Sequence, residues 1–430
     1  MARLARVSPA ITIARTICTS LLLSVTLTPA AYAQVDQAVA KKYFAEVKAL
    51  CDRDGGKLWG VSLCGPMALV DAATQTSATS EPAPAAPLPP AFGYANTAIE
   101  WGSTRWTTVV WRMLPDADPQ ARGRLLIHEL FHRIQPQLGL LVPELPNPHL
   151  DTLDGRYWLR LEWRALARAL ETRGTERASA IADALAFRAR RRTLFAGAAD
   201  SERRMEINEG LAQYTGTVVA AATRDAAMTD ARDQLARYES EPTLVRVFPY
   251  PSGAAYGLLL DEWTPGWTRR ISKDDDLAQR LAEAAHLSTS PDPEAAALRY
   301  GAADLRAAEA KRDVEQQARV AALRRVFVEG PVLVMPRVGK VSVSFTTAGM
   351  TPVPGAGTVY PTCRVTAAWG SLEARLALMA PDNSTITVSA PARFEGTSIT
   401  GAGWTLNLAD GWVIRPGARA GDFEVAQRIP

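Results

Sequence analysis

Beyond residue 33 the 430-residue chain has no uninterrupted run of 18 apolar side chains, so no stable membrane span is expected there. It has only four cysteines and no Cys-x-x-Cys pair, which leaves a cysteine-based metal or redox centre without support. Neither sign of charge prevails: 48 basic and 45 acidic residues leave a net charge of +3, too slight an excess to collect along a phosphate backbone. Nucleic acid is therefore not an expected partner. Aromatic residues are modest at 7%, yet 47% of the chain is hydrophobic and 22% charged, a balance that excludes disorder, collagen and coiled coil. At about 100 to 200 residues per domain, the length allows two or three domains.

The first 33 residues read as a secretory signal peptide. Arg3, Arg6 and Arg15 precede an apolar stretch through Leu21, Leu22, Leu23, Val25 and Leu27, which ends in the small-residue triplet Ala31-Tyr32-Ala33. The mature chain is expected to begin near Gln34, periplasmic or secreted. Cleavage removes Cys18 and leaves Cys51, Cys64 and Cys363 in an oxidising compartment. Cys51 and Cys64 flank Asp54-Gly55-Gly56, read as a hairpin turn, and a local disulfide can close across it. Cys363 is then a free thiol, expected to be buried.

Along the mature chain, residues 34–270 are expected to form the functional domain. Val39, Tyr43, Phe44, Val47 and Leu50 have helical spacing, and Leu58 to Val70 turns β-rich. Residues 73–91, rich in Ala, Ser, Thr and Pro, read as a loop or linker. Tyr94 to Ile99 and Trp106 to Trp111 read as strands joined at Gly102-Ser103-Thr104, their tryptophans as core. Asp118-Pro119 starts a helix that Pro136 ends; further helices are expected over Trp158 to Leu170, Ala178 to Arg191 and Glu202 to Ala221. Arg188, Arg190, Arg191 and Arg192 read as a solvated helix face. Residues 271–330 read as helical, the Ala-rich and charged turns from Leu277 to Val328 suggesting a long exposed hairpin or paired helices. Residues 331–430 alternate with period two and are expected to form a small β domain. The fold class is thus α+β, a mixed sheet followed by a helical bundle, with a C-terminal all-β domain.

The chemistry lies on the helix capped by Asp118. His128-Glu129-Leu130-Phe131-His132 is H-E-x-x-H, and residues four apart on a helix project from one face a turn apart, so both imidazoles can hold one metal ion. Glu129, turned by about 100°, can act on a water at the metal without ligating it. The chain has only four histidines, which makes the pattern specific. A hydrolytic zinc site needs a third protein ligand and an open position. His149, in the turn-like Asn147-Pro148-His149, and the carboxylates Glu162 and Glu209 are the candidates.

Asn208-Glu209-Gly210-Leu211-Ala212 resembles the N-E-G-x-A motif of gluzincin metallopeptidases such as the aminopeptidase N group, and Pro249-Tyr250-Pro251-Ser252-Gly253 resembles their P-Y-x-K-G. The resemblance covers residues 92 to 265. It implies a zincin-like domain, Zn2+ held by His128, His132 and Glu209, Glu129 as general base, and Tyr250 as hydrogen-bond donor to the developing oxyanion. It also implies hydrolysis of a peptide or protein substrate. The chain departs from the family in having Ser252 at the Lys position, no G-x-M-E-N segment, and 76 residues between His132 and Glu209. Without G-x-M-E-N the substrate's free amine has no evident anchor, so endopeptidase or narrow exopeptidase action is the expectation. Asn208 and Glu206 are candidates for orienting the imidazoles. The alternative is a non-catalytic zincin-like metal- or protein-binding protein, which has no need of Glu129.

Overall fold

The computed structural model describes residues 34–71, 74, 76–89, 92, 95–346 and 349–428. The signal peptide expected over 1–33 lies outside them, as do Gly93 and Tyr94. No helix among the described residues is long and apolar enough to cross a membrane. The chain is α+β: a small mixed sheet, a helical region, then all-β sheets.

Helix α1 (Gln37–Asp54) begins where the Asp36 carboxylate accepts from the amides of Ala38 and Val39, and ends at Gly55 with φ of 56°. Asp54-Gly55-Gly56 is therefore a helix cap and not a hairpin turn, because the run before it has helical period through Cys51. The cap still returns the chain so that Cys51 and Cys64 form a disulfide, with Cα atoms 5.4 Å apart.

Strands β1 (Met67–Asp71), β2 (Thr76–Thr79), β3 (Thr97–Trp101) and β4 (Thr104–Val110) form a sheet ordered β2-β1-β4-β3. β1 and β4 are parallel; the other pairs are antiparallel. Only Met67 onward of the β-rich stretch is strand, and its five residues are all buried. Within the expected loop 73–91, Thr76–Thr79 adds an edge strand, because Ala78 is small enough to bury and the neighbouring threonines suit a pleated surface. Gly102, with φ of 64°, makes the tight β3–β4 turn. Trp101 and Trp106 are core, packed at 5.1 Å between ring centres.

The helices are α2 (Pro119–Ile134), α3 (Leu153–Glu171), α4 (Gly174–Leu194), α5 (Ala198–Met205), α6 (Leu211–Ala220), α7 (Arg224–Tyr238), α8 (Pro249–Trp263), α9 (Leu277–Ala284), α10 (Pro293–Ala297) and α11 (Ala302–Arg324). A π-helical turn, Glu206–Gly210, joins α5 to α6. The segment from Leu277 to Val328, expected as a hairpin or paired helices, is divided into α9, α10 and α11 by breaks after Ala284 and at Gly301, where φ is 71°. α11 lies against α3, fastened by Glu309 to Arg156 and Arg160 at 2.9 and 2.6 Å.

Of the arginine run on α4 only Arg190 faces solvent as expected. Arg188 and Arg191 are buried against Glu162, Glu202 and Glu206, and Arg192 reaches Glu202 and Asp276. Charge runs face water unless opposite charges share the interior, and here three buried glutamates from α3, α5 and the π turn do so. Burial alone would raise the carboxyls of Glu202 and Asp276, but the adjacent arginines hold both well below their ordinary range.

After a second π turn, Arg325–Glu329, the chain forms a β-sandwich. One sheet runs in the order 391–395, 398–401, 404–408, 370–374, 363–367, 342–345; the other in the order 412–416, 423–427, 332–336, 385–389, 377–379, 357–360, 351–353. Leu333, Met335, Ile386 and Val388 meet Val365, Leu372 and Leu406 across the interior.

Carboxylates held low in the fold stabilise it at pH values above their unfolded pKa of about 4, and that stabilisation is lost as the pH falls further, so the melting temperature of the protein is expected to drop steeply between pH 5 and pH 2. Exchanging Glu202 and Asp276 for Gln and Asn is expected to flatten that slope in thermal melts. Burial pushes the Cys363 thiol up to about 11, so in a chain beginning at Gln34 no thiol is expected to react with iodoacetamide at pH 7.5 until denaturant is added, and then only one without reductant.

Candidate metal centre

The Asp118 carboxylate accepts from Ala121 N–H at 3.0 Å and Pro119 occupies the first turn, which fixes where α2 starts. α2 crosses the sheet against β3 and β4 and is flanked by α6. The α2–α6 approach needs glycine: a Cβ on Gly216 would stand 2.4 Å from the Arg124 carbonyl oxygen. A second close crossing brings in α8, where a Cβ on Gly253 would lie 2.2 Å from the Cα of Gly210. Backbone against backbone, Gly210 and Gly253 set Glu209 and Tyr250 beside each other.

These three helices converge on one point. The Nε2 atoms of His128 and His132 are 3.1 Å apart, and a Glu209 carboxylate oxygen lies 3.3 and 3.5 Å from them. One ligand atom from each of the three lies within 4.8 Å of the others. Among the described residues one other cluster has metal-ligand side chains, Cys51, Asp52 and Cys64, but its sulfurs are joined as a disulfide.

The tautomers follow from hydrogen-bond direction. Asp230 can only accept, so the Gln234 amide nitrogen donates to it at 3.0 Å; Gln234 oxygen then accepts from Gln213 nitrogen at 2.5 Å, and Gln213 oxygen faces His128 Nδ1 at 3.0 Å. Gln135 nitrogen likewise donates to the carbonyls of Leu140, Ile207 and Asn208, and its oxygen faces His132 Nδ1 at 2.9 Å. Both Nδ1 atoms must therefore donate. In the neutral rings both Nε2 atoms bear lone pairs, facing each other and a carboxylate, an arrangement that calls for positive charge. Burial disfavours charge on His132, yet the hydrogen bond and charge of Glu209, with Glu129, hold its pKa up to about 9. Burial would raise Glu209, and the two imidazoles instead pull it far down.

Glu129, buried beside the imidazole pair, is raised by desolvation; the imidazoles and a hydrogen bond from Asn96 oppose the shift. Tyr250 stacks on His128, ring centres 5.6 Å apart, and hydrogen-bonds to Glu209. Burial, with Glu209 and Tyr238 nearby, raises its pKa further, so it stays a protonated donor.

His128, Glu129, His132, Glu209 and Tyr250 thus line one cleft of about 830 Å³. Glu162 does not join them: it is buried between Arg188, Arg191 and Tyr256. His149 hydrogen-bonds Glu202 at 2.9 Å within the arginine cluster. Glu206 and Asn208 do not orient the imidazoles. Glu206 pairs with Arg188 at 2.8 Å and Asn208 donates to Glu144 at 2.7 Å, because the π turn rotates both away from α2. Gln213 and Gln135 take that role, and sequence reasoning missed both. Gln213 had one usable signal, its place one helical turn after Glu209. Ser252, at the position of the motif lysine, accepts from Trp163 Nε1 at 2.8 Å.

The chain matches no family model, no curated protein and no solved structure.

Loss of the Gln213 acceptor frees the His128 tautomer. Gln213→Leu is therefore expected to weaken Zn2+ binding by about 10- to 100-fold in a competitive chelator titration, with the far-ultraviolet circular dichroism unchanged.

Proposed function

We propose that this chain is a periplasmic or secreted zinc-dependent hydrolase, a metallopeptidase of gluzincin type acting on a peptide or protein substrate. The observation that carries the proposal is the convergence of two imidazole nitrogens with fixed lone pairs and one carboxylate oxygen at the wall of an open cleft, with Glu129 and Tyr250 beside them. Two nitrogens and one oxygen are a donor set that suits zinc, and three protein ligands leave a coordination position for reaction. His128, His132 and Glu209 would hold the ion. When bound, it supplies a Lewis acid that polarises a scissile carbonyl and makes water a competent nucleophile near neutral pH.

The remaining work falls to this chain's own groups. Glu129, one residue along the helix from a ligand and outside the donor triangle, accepts the proton of the attacking water and returns it to the leaving amine. Tyr250, held by its stack on His128 and kept protonated by burial, donates its hydroxyl hydrogen to the oxygen that gains charge. The amide chains through Gln213 and Gln135 keep the imidazole planes fixed while charge moves.

The purified protein is expected to bind one equivalent of Zn2+ and to cleave a quenched-fluorescence peptide library, with cleavage abolished by a chelator and restored by zinc. Glu129→Gln is expected to keep the metal and lose almost all turnover. Tyr250→Phe is expected to keep the metal and retain weak turnover, its barrier raised by about 2.7 to 4 kcal/mol. Full turnover in Glu129→Gln would refute the assignment.

A further inference from the structure

The cleft follows one face of α2, from Ala121 and Arg124 past His128 and Glu129 to His132 and on to Gln135, and its two ends differ chemically. Beyond His132 it is lined by Leu141, which is 58% exposed, and by the amides of Gln135 and Asn208. Before His128 it is lined by arginine. The acidic side chains of the whole lining are Glu129 and Glu209, both at the reaction centre, whereas Arg105, Arg124 and Arg237 carry three positive charges.

Two of these arginines are already matched. Arg105 pairs with Glu100 at 3.0 Å across β3 and β4, and Arg124 pairs with Asp230. Arg237 is different: it is exposed at the C-terminal end of α7, and no carboxylate of the described residues lies within ion-pairing distance of it. Its position is nevertheless defined. The guanidinium carbon stands 4.9 Å over the Tyr238 ring, Tyr238 stacks on Tyr250 at 6.0 Å and 7°, and Tyr250 stacks on His128 at 5.6 Å. A column of three rings thus connects a ligand imidazole to a guanidinium that faces the cleft, and a guanidinium binds carboxylate better than any other side chain does.

Resting on the hydrolase reading above, we infer that the cleft selects peptides bearing an Asp or Glu side chain, whose carboxylate Arg237 binds at the His128 end of the cleft. A cationic or free-amine group placed there would meet repulsion from Arg237, and among the described residues no carboxylate lines the cleft except those of Glu129 and Glu209. The reaction-centre glutamates are committed to the metal ligands and to proton transfer.

Three pools of short quenched-fluorescence peptides of otherwise random sequence, carrying Glu, Gln or Lys at one fixed position, test this with the zinc-loaded protein. At the selected position the expected kcat/KM on the Glu pool is about tenfold that on the Gln pool, with the Lys pool lowest. Arg237→Gln is expected to bring the Glu and Gln pools level, Arg237→Lys to restore part of the difference, and Arg237→Glu to favour the Lys pool. A second arm measures binding alone: anisotropy of fluorescein-labelled Glu and Gln pools on Glu129→Gln, with and without Arg237→Gln. About tenfold tighter binding of the Glu pool, lost with Arg237, is expected. Cleavage of all pools without preference, or equal proportional loss on both pools in Arg237→Gln, overturns this inference and leaves the hydrolase reading standing. If no pool is cleaved, that reading fails, and the binding arm decides alone: equal affinity for the two pools overturns the role of Arg237.

Discussion

Two imidazole nitrogens 3.1 Å apart, each with its lone pair turned toward the other and toward a carboxylate, are stable together only if positive charge sits among them. Most of the helical region can be understood as the means of imposing that arrangement. An isolated H-E-x-x-H helix leaves its rings free to rotate and to exchange tautomers. Here the far side of each ring meets an amide oxygen whose direction is dictated from behind, by Asp230 through Gln234 in one case and by three backbone carbonyls in the other. The polarity of the network begins at groups that can only accept and ends at the ring nitrogens, so it cannot be reversed at one end without breaking the other.

The third donor depends on a local irregularity. Between α5 and α6 the helix widens to a π turn, which presents Glu209 to α2 while Glu206, three residues earlier, points into the arginine cluster. The Glu206–Arg188 pair holds one side of that turn, and the contact of Gly210 with Gly253 holds the other. The cluster of Arg188, Arg191 and Arg192 with Glu162, Glu202, Glu206 and Asp276 is costly to desolvate, and its value lies in where it fixes the turn more than in net stability. The same glycine contact explains why Tyr250 reaches the site: α8 can approach to backbone distance only where neither helix carries a Cβ. Proposed zinc chemistry and proposed carboxylate selection then share one scaffold, since the ring column that aligns Tyr250 also ends at Arg237.

How much of this was legible beforehand depends on the range of the interaction concerned. Local signals were sound: the Asp118-Pro119 start, the stop before Pro136, the tight turn at Gly102 and the period-two pattern after Gly330 all appear as expected. Misreadings arose where a distant partner overrode the local pattern. The Arg188 to Arg192 run has the composition of a solvated face, and only three glutamates from other elements make burial of Arg188 and Arg191 tolerable. Thr76–Thr79 has too little apolar side chain to announce a strand, yet β1 offers it a ladder. Glu206 and Asn208 flank the motif glutamate in sequence, but a π turn changes which way neighbours point.

The sequence by itself determined the pairing of His128 with His132, because four residues of α-helix place them on one face whatever surrounds them, and it determined the α+β class through the change of hydrophobic period along the chain. Tertiary structure decided the rest. Glu209 is separated from His132 by 76 intervening residues, and whether it or Glu162 meets the imidazoles depends on which carboxylate the buried arginines claim, a competition among groups that no local spacing encodes. The tautomers and the exposed Arg237 guanidinium at the cleft were decided there too, since each depends on the direction of a neighbour's hydrogen bond or on which carboxylates lie within reach.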